Sequence, residues 1–363
     1  MKRSLSILVA VVMLLSVVLM GCTLPSGGGP ATGGGELIGV AMPTKSLQRW
    51  NQDGENMQKL LEKAGYTVDL QYAEDSVDTQ LTQIENMITK GAKVLVIASI
   101  DGESLGGVLE EAAAEGIKVI AYDRLIKGTP HVDYYATFDN YKVGVIQGQY
   151  IIDTLKLAEG EKGPFTMEVF GGSPDDNNAY YFNGGAMDTL KPYIDSGVLV
   201  IKSGQTDMEQ IAISGWKSEG SQARMDNLLT AFYSDENIDV VLSPNDSLAQ
   251  GIVASLKAAG YGTASKPYPI LTGQDCDITN VKHMIAGEQS MSVFKDTRTL
   301  AEKVVGMVEA IMKGTEPEIN DTETYDNGKK VVPSYLCDPV FADVNNYKEL
   351  LIDTGYYEEA QLK

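Results

Sequence analysis

The sequence is poor in the groups that most chemistry requires. It has 363 residues but only three cysteines and two histidines. His131 and His283 stand far apart without neighbouring ligand-type residues, so both read as surface residues and neither as a catalytic base. There is no CxxC and no Cys/His cluster, which excludes the common zinc sites. A Walker-type GxxxxGK[ST] is missing, as is a GxGxxG after a strand. Gly171-Gly172-Ser173 runs into Pro174 and two aspartates, a poor cradle for phosphate. The DDNN stretch from Asp175 lacks the alternate spacing and distal Glu of a calcium loop. Without a Ser–His or Cys–His constellation, and with Asp175-Asp176 read as a helix-start loop, no enzyme, cofactor or metal is expected. Positive charge is short too: 29 Lys and Arg against 50 Asp and Glu give a formal net charge of −21. So acidic a surface repels nucleic acid and anionic lipid headgroups.

A long apolar run is also lacking. Ile7 to Met20, interrupted by Ser16, falls short of the roughly 20 residues that span a bilayer. It follows Lys2 and Arg3 and ends at Leu19-Met20-Gly21-Cys22, the layout of a secretory signal over 1–21. A cysteine directly after a small residue is the pattern of a bacterial lipoprotein, although Met20 departs from the small or branched residue usual there. Cys22 is therefore expected to carry lipid. Residues 22–36 (CTLPSGGGPATGGGE) are too rich in glycine to bury a core and form a tether. The expectation is an extracytoplasmic protein, anchored by lipid to the cytoplasmic membrane. Cys276 and Cys337 remain, and spacing alone does not tell whether they pair.

The body from Leu37 onward suits two domains. Short apolar runs, among them 37–42, 94–98, 118–121, 135–138, 165–170, 240–242, 270–272 and 290–294, predict strands. Amphipathic stretches lie between them, as at 47–64, 105–115, 143–157, 247–259 and 300–313. Such alternation predicts parallel sheets in two doubly wound α/β lobes. Ligands of open α/β sheets bind beyond the carboxyl ends of the strands, and eight of those ends are rich in Asp, Asn, Gln, Arg or Lys. They include Lys45, Asp123-Arg124, Asp139-Asn140, Asn177, Asn245-Asp246, Asp275 and Lys295. Helix capping accounts for about half of them, Asp246 and Asp296 among these. Planar carboxylates and amides converging with Arg and Lys suit a neutral ligand dense in hydroxyls. Trp50, beside Arg49, fits a stacking wall for a sugar ring, whereas Trp216 fits a wall and a core position equally.

These stretches resemble a known family. AMPTKSLQRW (41–50), IKVIAYDRLI (117–126), YYATFDN (134–140), FGGSPDDNNA (170–179), GQD (273–275), VFKDTR (293–298) and KKVVPSYL (329–336) are similar to the type I periplasmic sugar-binding proteins, the ribose, galactose and xylose receptors of ABC importers. The likeness is strongest to the ChvE-type multiple-monosaccharide receptors. It implies two Rossmann-like lobes joined by three crossing segments: 37–139 plus 275–328, and 140–274 plus 329–363. It also implies a ring of Arg49, Trp50, Asp123, Arg124, Asn177, Asn245, Asp246, Asp275 and Lys295 around the sugar, with Asp139 at ligand or hinge. The stretch SPND at 243–246 departs from the SPYD of that receptor type, and Cys276 is a second departure. The implied function is capture of a monosaccharide of the glucose, galactose, xylose or arabinose class, by a monomer that delivers it to an ABC permease. The implied alternative is presentation of a sugar or furanosyl signal to a membrane sensor.

Overall fold

The structure, a computed structural model, describes residues 35–363. The signal segment, Cys22 and all of the tether before Gly35 lie outside the described residues. Five strands, β1 (Leu37–Met42), β2 (Thr67–Tyr72), β3 (Val94–Ile97), β4 (Lys118–Tyr122) and β5 (Tyr134–Phe138), precede the first crossing. β6 (Phe165–Val169), β7 (Leu199–Ile201), β8 (Val240–Leu242), β9 (Ile270–Leu271) and β10 (Met291–Phe294) follow it, then β11 (Ser334–Cys337) and β12 (Val340–Asp343). The helices are α1 (Gln48–Lys63), α2 (Val77–Thr89), α3 (Gly106–Ala114), α4 (Asn140–Thr154), α5 (Asn177–Asp195), α6 (Met208–Ile211), α7 (Ser218–Phe232), α8 (Asp246–Ala258), α9 (Ile278–Ile285) and α10 (Thr297–Met312).

The first sheet has the order β11-β5-β4-β3-β1-β2, with every pair parallel. Its central strands are apolar without alternation because both faces are covered by helices. Neighbouring residues serve opposite cores: Val40, Val94 and Val96 bury with α1 and α10, while Ala41, Leu95 and Ile97 bury with α2 and α3. The second sheet, β7-β6-β8-β9, is also parallel and lies between two cores. Gln274 extends it by a parallel bridge to Val293 of β10, which pairs antiparallel with β12. This is the type I periplasmic binding protein fold, with parallel sheets flanked by helices.

The crossings differ from the expected boundaries. The chain passes between the sheets at 138–140, 294–297 and 337–340. Residues 275–294, expected in the first lobe, form α9 and β10 and bury Val281, Met284 and Phe294 with Ala342 and Leu351. Residues 334–337, expected in the second lobe, hydrogen-bond along β5 in register Ser334–Tyr135 to Cys337–Phe138. Lateral strand pairing decides membership here, and a four-residue strand carries no mark of its partner. Cys276 and Cys337 are free thiols buried in separate cores. Burial raises the pKa of both, Cys337 to about 12.

One close approach sets the direction of α5. A Cβ on Gly144 would lie 2.0 Å from the Phe182 carbonyl oxygen, and one on Gly185 2.0 Å from that of Tyr141. The two glycines let α4 and α5 pack backbone to backbone. The first turns of α5 are thereby aimed at the space between the sheets.

Candidate functional site

Loops at the carboxyl ends of strands from both sheets meet around a narrow cleft. From the first sheet come Arg49 and Trp50, in the opening turn of α1, and Asp123 with Arg124 directly after β4. From the second come Asp176 and Asn178 at the start of α5, Trp216, Asn245 and Ser247 after β8, and Gln274, Asp275 and Asp277 after β9. Lys295 follows β10 at a crossing. Asp123 (φ 59°) and Asp275 (φ 98°) turn left-handed, a region that Asp tolerates better than most residues.

The charges interlock. Arg49 donates to Asp53 at 2.9 Å and to Asp123 at 2.8 Å, and lies 3.5 Å from Asp275. Lys295 is 3.2 Å from Asp275 and 3.8 Å from Asp123, and Arg124 is 3.2 Å from Asp176. Burial alone would raise the Asp123 pKa, but Arg49, Lys295 and Arg124 overcome it and hold the carboxyl below its usual range. Asp53, deeper and also bonded to the Tyr122 hydroxyl, is pushed up to about 6 because its burial outweighs Arg49. Burial and then the Asp275 charge raise Asp277 to about 7.

The two tryptophans form the apolar walls. Trp50 lies under both guanidinium groups, with Arg49 Cζ 4.4 Å and Arg124 Cζ 5.1 Å from the ring centre. Trp216, at φ 57° after Gly215 at φ 66°, packs against Phe182 and donates from Nε1 to Asp176 at 3.2 Å. Its indole occupies the space where a side chain on Gly172 would stand, 1.9 Å from that Cβ position. Several buried polar atoms here have no hydrogen-bond partner among the described residues: Trp50 Nε1, Gln274 Oε1 and Asp277 Oδ1. Such groups are costly unless something bonds to them. Arg, Lys, carboxylates and amides between two indoles can grip a ring edged with hydroxyls.

Of the residues expected from sequence, the structure gathers Arg49, Trp50, Asp123, Arg124, Trp216, Asn245, Asp275 and Lys295. Four lie elsewhere. Lys45 is exposed over the Tyr72 ring, and Asp139 caps α4 by accepting from the Lys142 amide. Asn177 lies on the outer surface near Pro174 and Tyr180, because one helical step separates it from inward-facing Asn178. Asp246 is not the cap of α8; Asn245 is, accepting from the Leu248 amide at 3.0 Å. The Asp246 carboxylate turns away from the cleft and accepts from Ser292, Gln289 and the Asp277 amide. Asp296 does cap α10. The histidines are half-buried, and His283 pairs with Glu288. Asp176, Asn178, Ser247, Gln274 and Asp277 were missed. Each stands within a few residues of an expected position, and pattern alone does not tell which of two adjacent polar residues faces inward.

Comparison with known proteins agrees with this geometry. A model of the periplasmic binding protein domain matches residues 38–316. The chain belongs to the periplasmic binding protein family. Within that family it is similar to the multiple sugar-binding periplasmic receptor ChvE of Rhizobium radiobacter, 58% identical over 90% of this chain and 92% of the relative. The D-xylose-binding periplasmic protein of Escherichia coli K12 is 37% identical over 90% and 92% of the two chains. An ABC transporter solute-binding protein from Clostridium phytofermentans, solved with bound β-D-glucose, superposes with a TM-score of 0.87 at 61% identity, covering 90% of this chain and all of the other. These family members are binding receptors, not enzymes. Among the described residues no cluster of His, Cys, Asp or Glu is arranged to hold a metal, and no helix is long and apolar enough to cross a membrane.

Proposed function

We propose that this periplasmic binding protein captures a monosaccharide outside the cytoplasmic membrane and delivers it to an ABC permease, held at the membrane by lipid on Cys22. The observation that carries the reading is the cleft itself. Fixed donors and acceptors from both sheets converge between Trp50 and Trp216. Aldopyranoses offer hydroxyls that donate and accept around the edge, and C–H faces for the indoles. Charge-assisted bonds from Arg49, Asp123 and Lys295 gain strength in a cleft from which water is excluded. Because the lining comes from both sides, a ligand makes its full set of contacts only when the lobes are shut. Binding thus shifts an open ensemble to the closed one by hinge motion at the three crossings. Glucose bound in the Clostridium phytofermentans relative supports an aldohexose as the first ligand to try.

The test is titration calorimetry with glucose, galactose, xylose and arabinose, after a thermal-shift screen. The wild type is expected to bind at least one of them. Arg49→Ala and Asp123→Ala each remove charge-assisted bonds worth roughly 1.5–3 kcal/mol apiece, so each variant should fold yet lose two or more orders of magnitude in affinity. Unchanged affinity in both would overturn the site.

A further inference from the structure

The C-terminal turn reaches back across the cleft onto the first helix. Gln48, Gln52 and Asn56 stand four residues apart on α1 and present their amides along one stripe. Gln48 bridges the lobes: its Oε1 accepts from the Ile278 amide at 3.1 Å, and its Nε2 donates to the Tyr357 hydroxyl at 2.6 Å. Tyr357 also accepts from Gln52 at 3.3 Å and donates to the Cys276 carbonyl at 2.9 Å. Beside it, Tyr356 donates to Gln52 Oε1 at 3.2 Å, its ring edge-on to Phe294 and Tyr357. Tyr357 is 4% exposed, and its core partners Cys276, Val281 and Leu351 belong to the second lobe. Gln48 and Gln52 ride on the first.

The segment held in this way is part of the site. Asp275 and Asp277 line the cleft, and Cys276 between them is left-handed at φ 52°, directly after Asp275 at φ 98°. Two successive non-glycine residues in that region persist only where their surroundings hold them. Tyr357 grips the carbonyl before Asp277, and Gln48 grips the amide after it.

We propose that Gln48 and Tyr357 are positioning residues forming a latch: they clasp the lobes together and hold the Asp275–Asp277 turn against the ligand. Neither touches the ligand space. Parting the lobes breaks the bonds of Gln48 while leaving Tyr357 on Cys276. The latch therefore exists only in the closed form and acts on ligand escape rather than on ligand entry. This rests on the receptor reading above.

The test is stopped-flow binding of glucose, read by Trp fluorescence, in Gln48→Ala, Tyr357→Phe and the double variant. Each single variant loses two hydrogen bonds across the lobes, so the dissociation rate should rise about tenfold with association within about twofold. The two residues share one of these bonds, so the double variant should lose more than either single but less than the sum of the two. A residue that only supported the fold would lower the melting temperature without separating the two rates. Equal dissociation rates in wild type and Gln48→Ala overturn the latch; Gln48 is half-buried at a helix start, so that variant carries the test even if Tyr357→Phe fails to fold. If the wild type binds no aldose, the receptor reading fails separately. The latch is then judged on hydrogen exchange of the Ile278 amide and X-ray scattering of the ligand-free protein. Faster exchange and a larger radius in Gln48→Ala support it, and identical values overturn it.

Discussion

Replacing Gly172 by alanine probes the wall of the cleft without touching a polar group. The new Cβ would stand 1.9 Å from Cη2, 2.4 Å from Cζ2 and 2.5 Å from Cζ3 of Trp216, where ordinary contact is 3.4–4 Å. The indole must withdraw by roughly 1.5 Å, as a packed interior has no slack to absorb the difference. Overpacking of this kind costs about 1–3 kcal/mol. A retreat of that size also stretches the 3.2 Å bond from Trp216 Nε1 to Asp176 beyond hydrogen-bonding reach, which adds about 1 kcal/mol. Asp176 is the partner of Arg124, so the disturbance passes into the ring of charges. Gly172→Ala should therefore melt a few degrees lower and bind its sugar at least about tenfold more weakly. Calorimetry measures the affinity, scanning calorimetry the melting, and Trp emission the changed setting of the indole. Wild-type values for all three would refute the view that Trp216 is wedged against Gly172.

Two further outcomes follow from burial. Asp277 has its carboxyl raised from 3.8 to about 7, so the folded protein holds a proton there that the unfolded chain has released. An acid with a raised folded pKa destabilises the fold as pH rises, here between about pH 4 and pH 7. Asp277→Asn should flatten that decline in melting temperature; parallel curves for variant and wild type would sink the assignment. Gly144→Ala would place its Cβ 2.0 Å from the Phe182 carbonyl. Backbone cannot step aside as a side chain can, so a loss of 2 kcal/mol or more in denaturant unfolding is expected, and an unchanged midpoint would count against close packing of α4 and α5.

Legibility in the sequence followed the range of the interaction. The strands β1, β3, β4 and β8 were plain because a strand covered on both faces must be apolar throughout, and Leu37–Met42, Val94–Ile97 and Val240–Leu242 are. β11 and β12 were not seen: Ser334–Cys337 and Val340–Asp343 are short, partly exposed, and defined by partners some 200 and some 50 residues away. The start of α5 was legible in the helix-start loop at Asp175-Asp176, but its extent was hidden by the polar, glycine-bearing stretch from Asn177, whose glycines serve contact with α4. Asn178 and Asp277 escaped notice for a related reason, since the choice of the inward residue in a polar run depends on where the helix or turn is docked.

The sequence by itself determined the class of the chain. Its scarcity of Cys, His and phosphate-binding glycines, its alternation of apolar and amphipathic runs, and its polar strand ends pointed to a two-lobed binder of a hydroxyl-rich ligand. Those signals are local, carried by residue type and short-range period. Tertiary structure decided the rest: which strands share a sheet, where the chain crosses between lobes, and that Asp123, Asp275 and Lys295, distant in the chain, stand within 4 Å of one another or of Arg49. It also decided that Asp246 supports the turn below the site instead of lining it. Direction and partnership across long separations are set by packing, and the linear pattern carries no record of them.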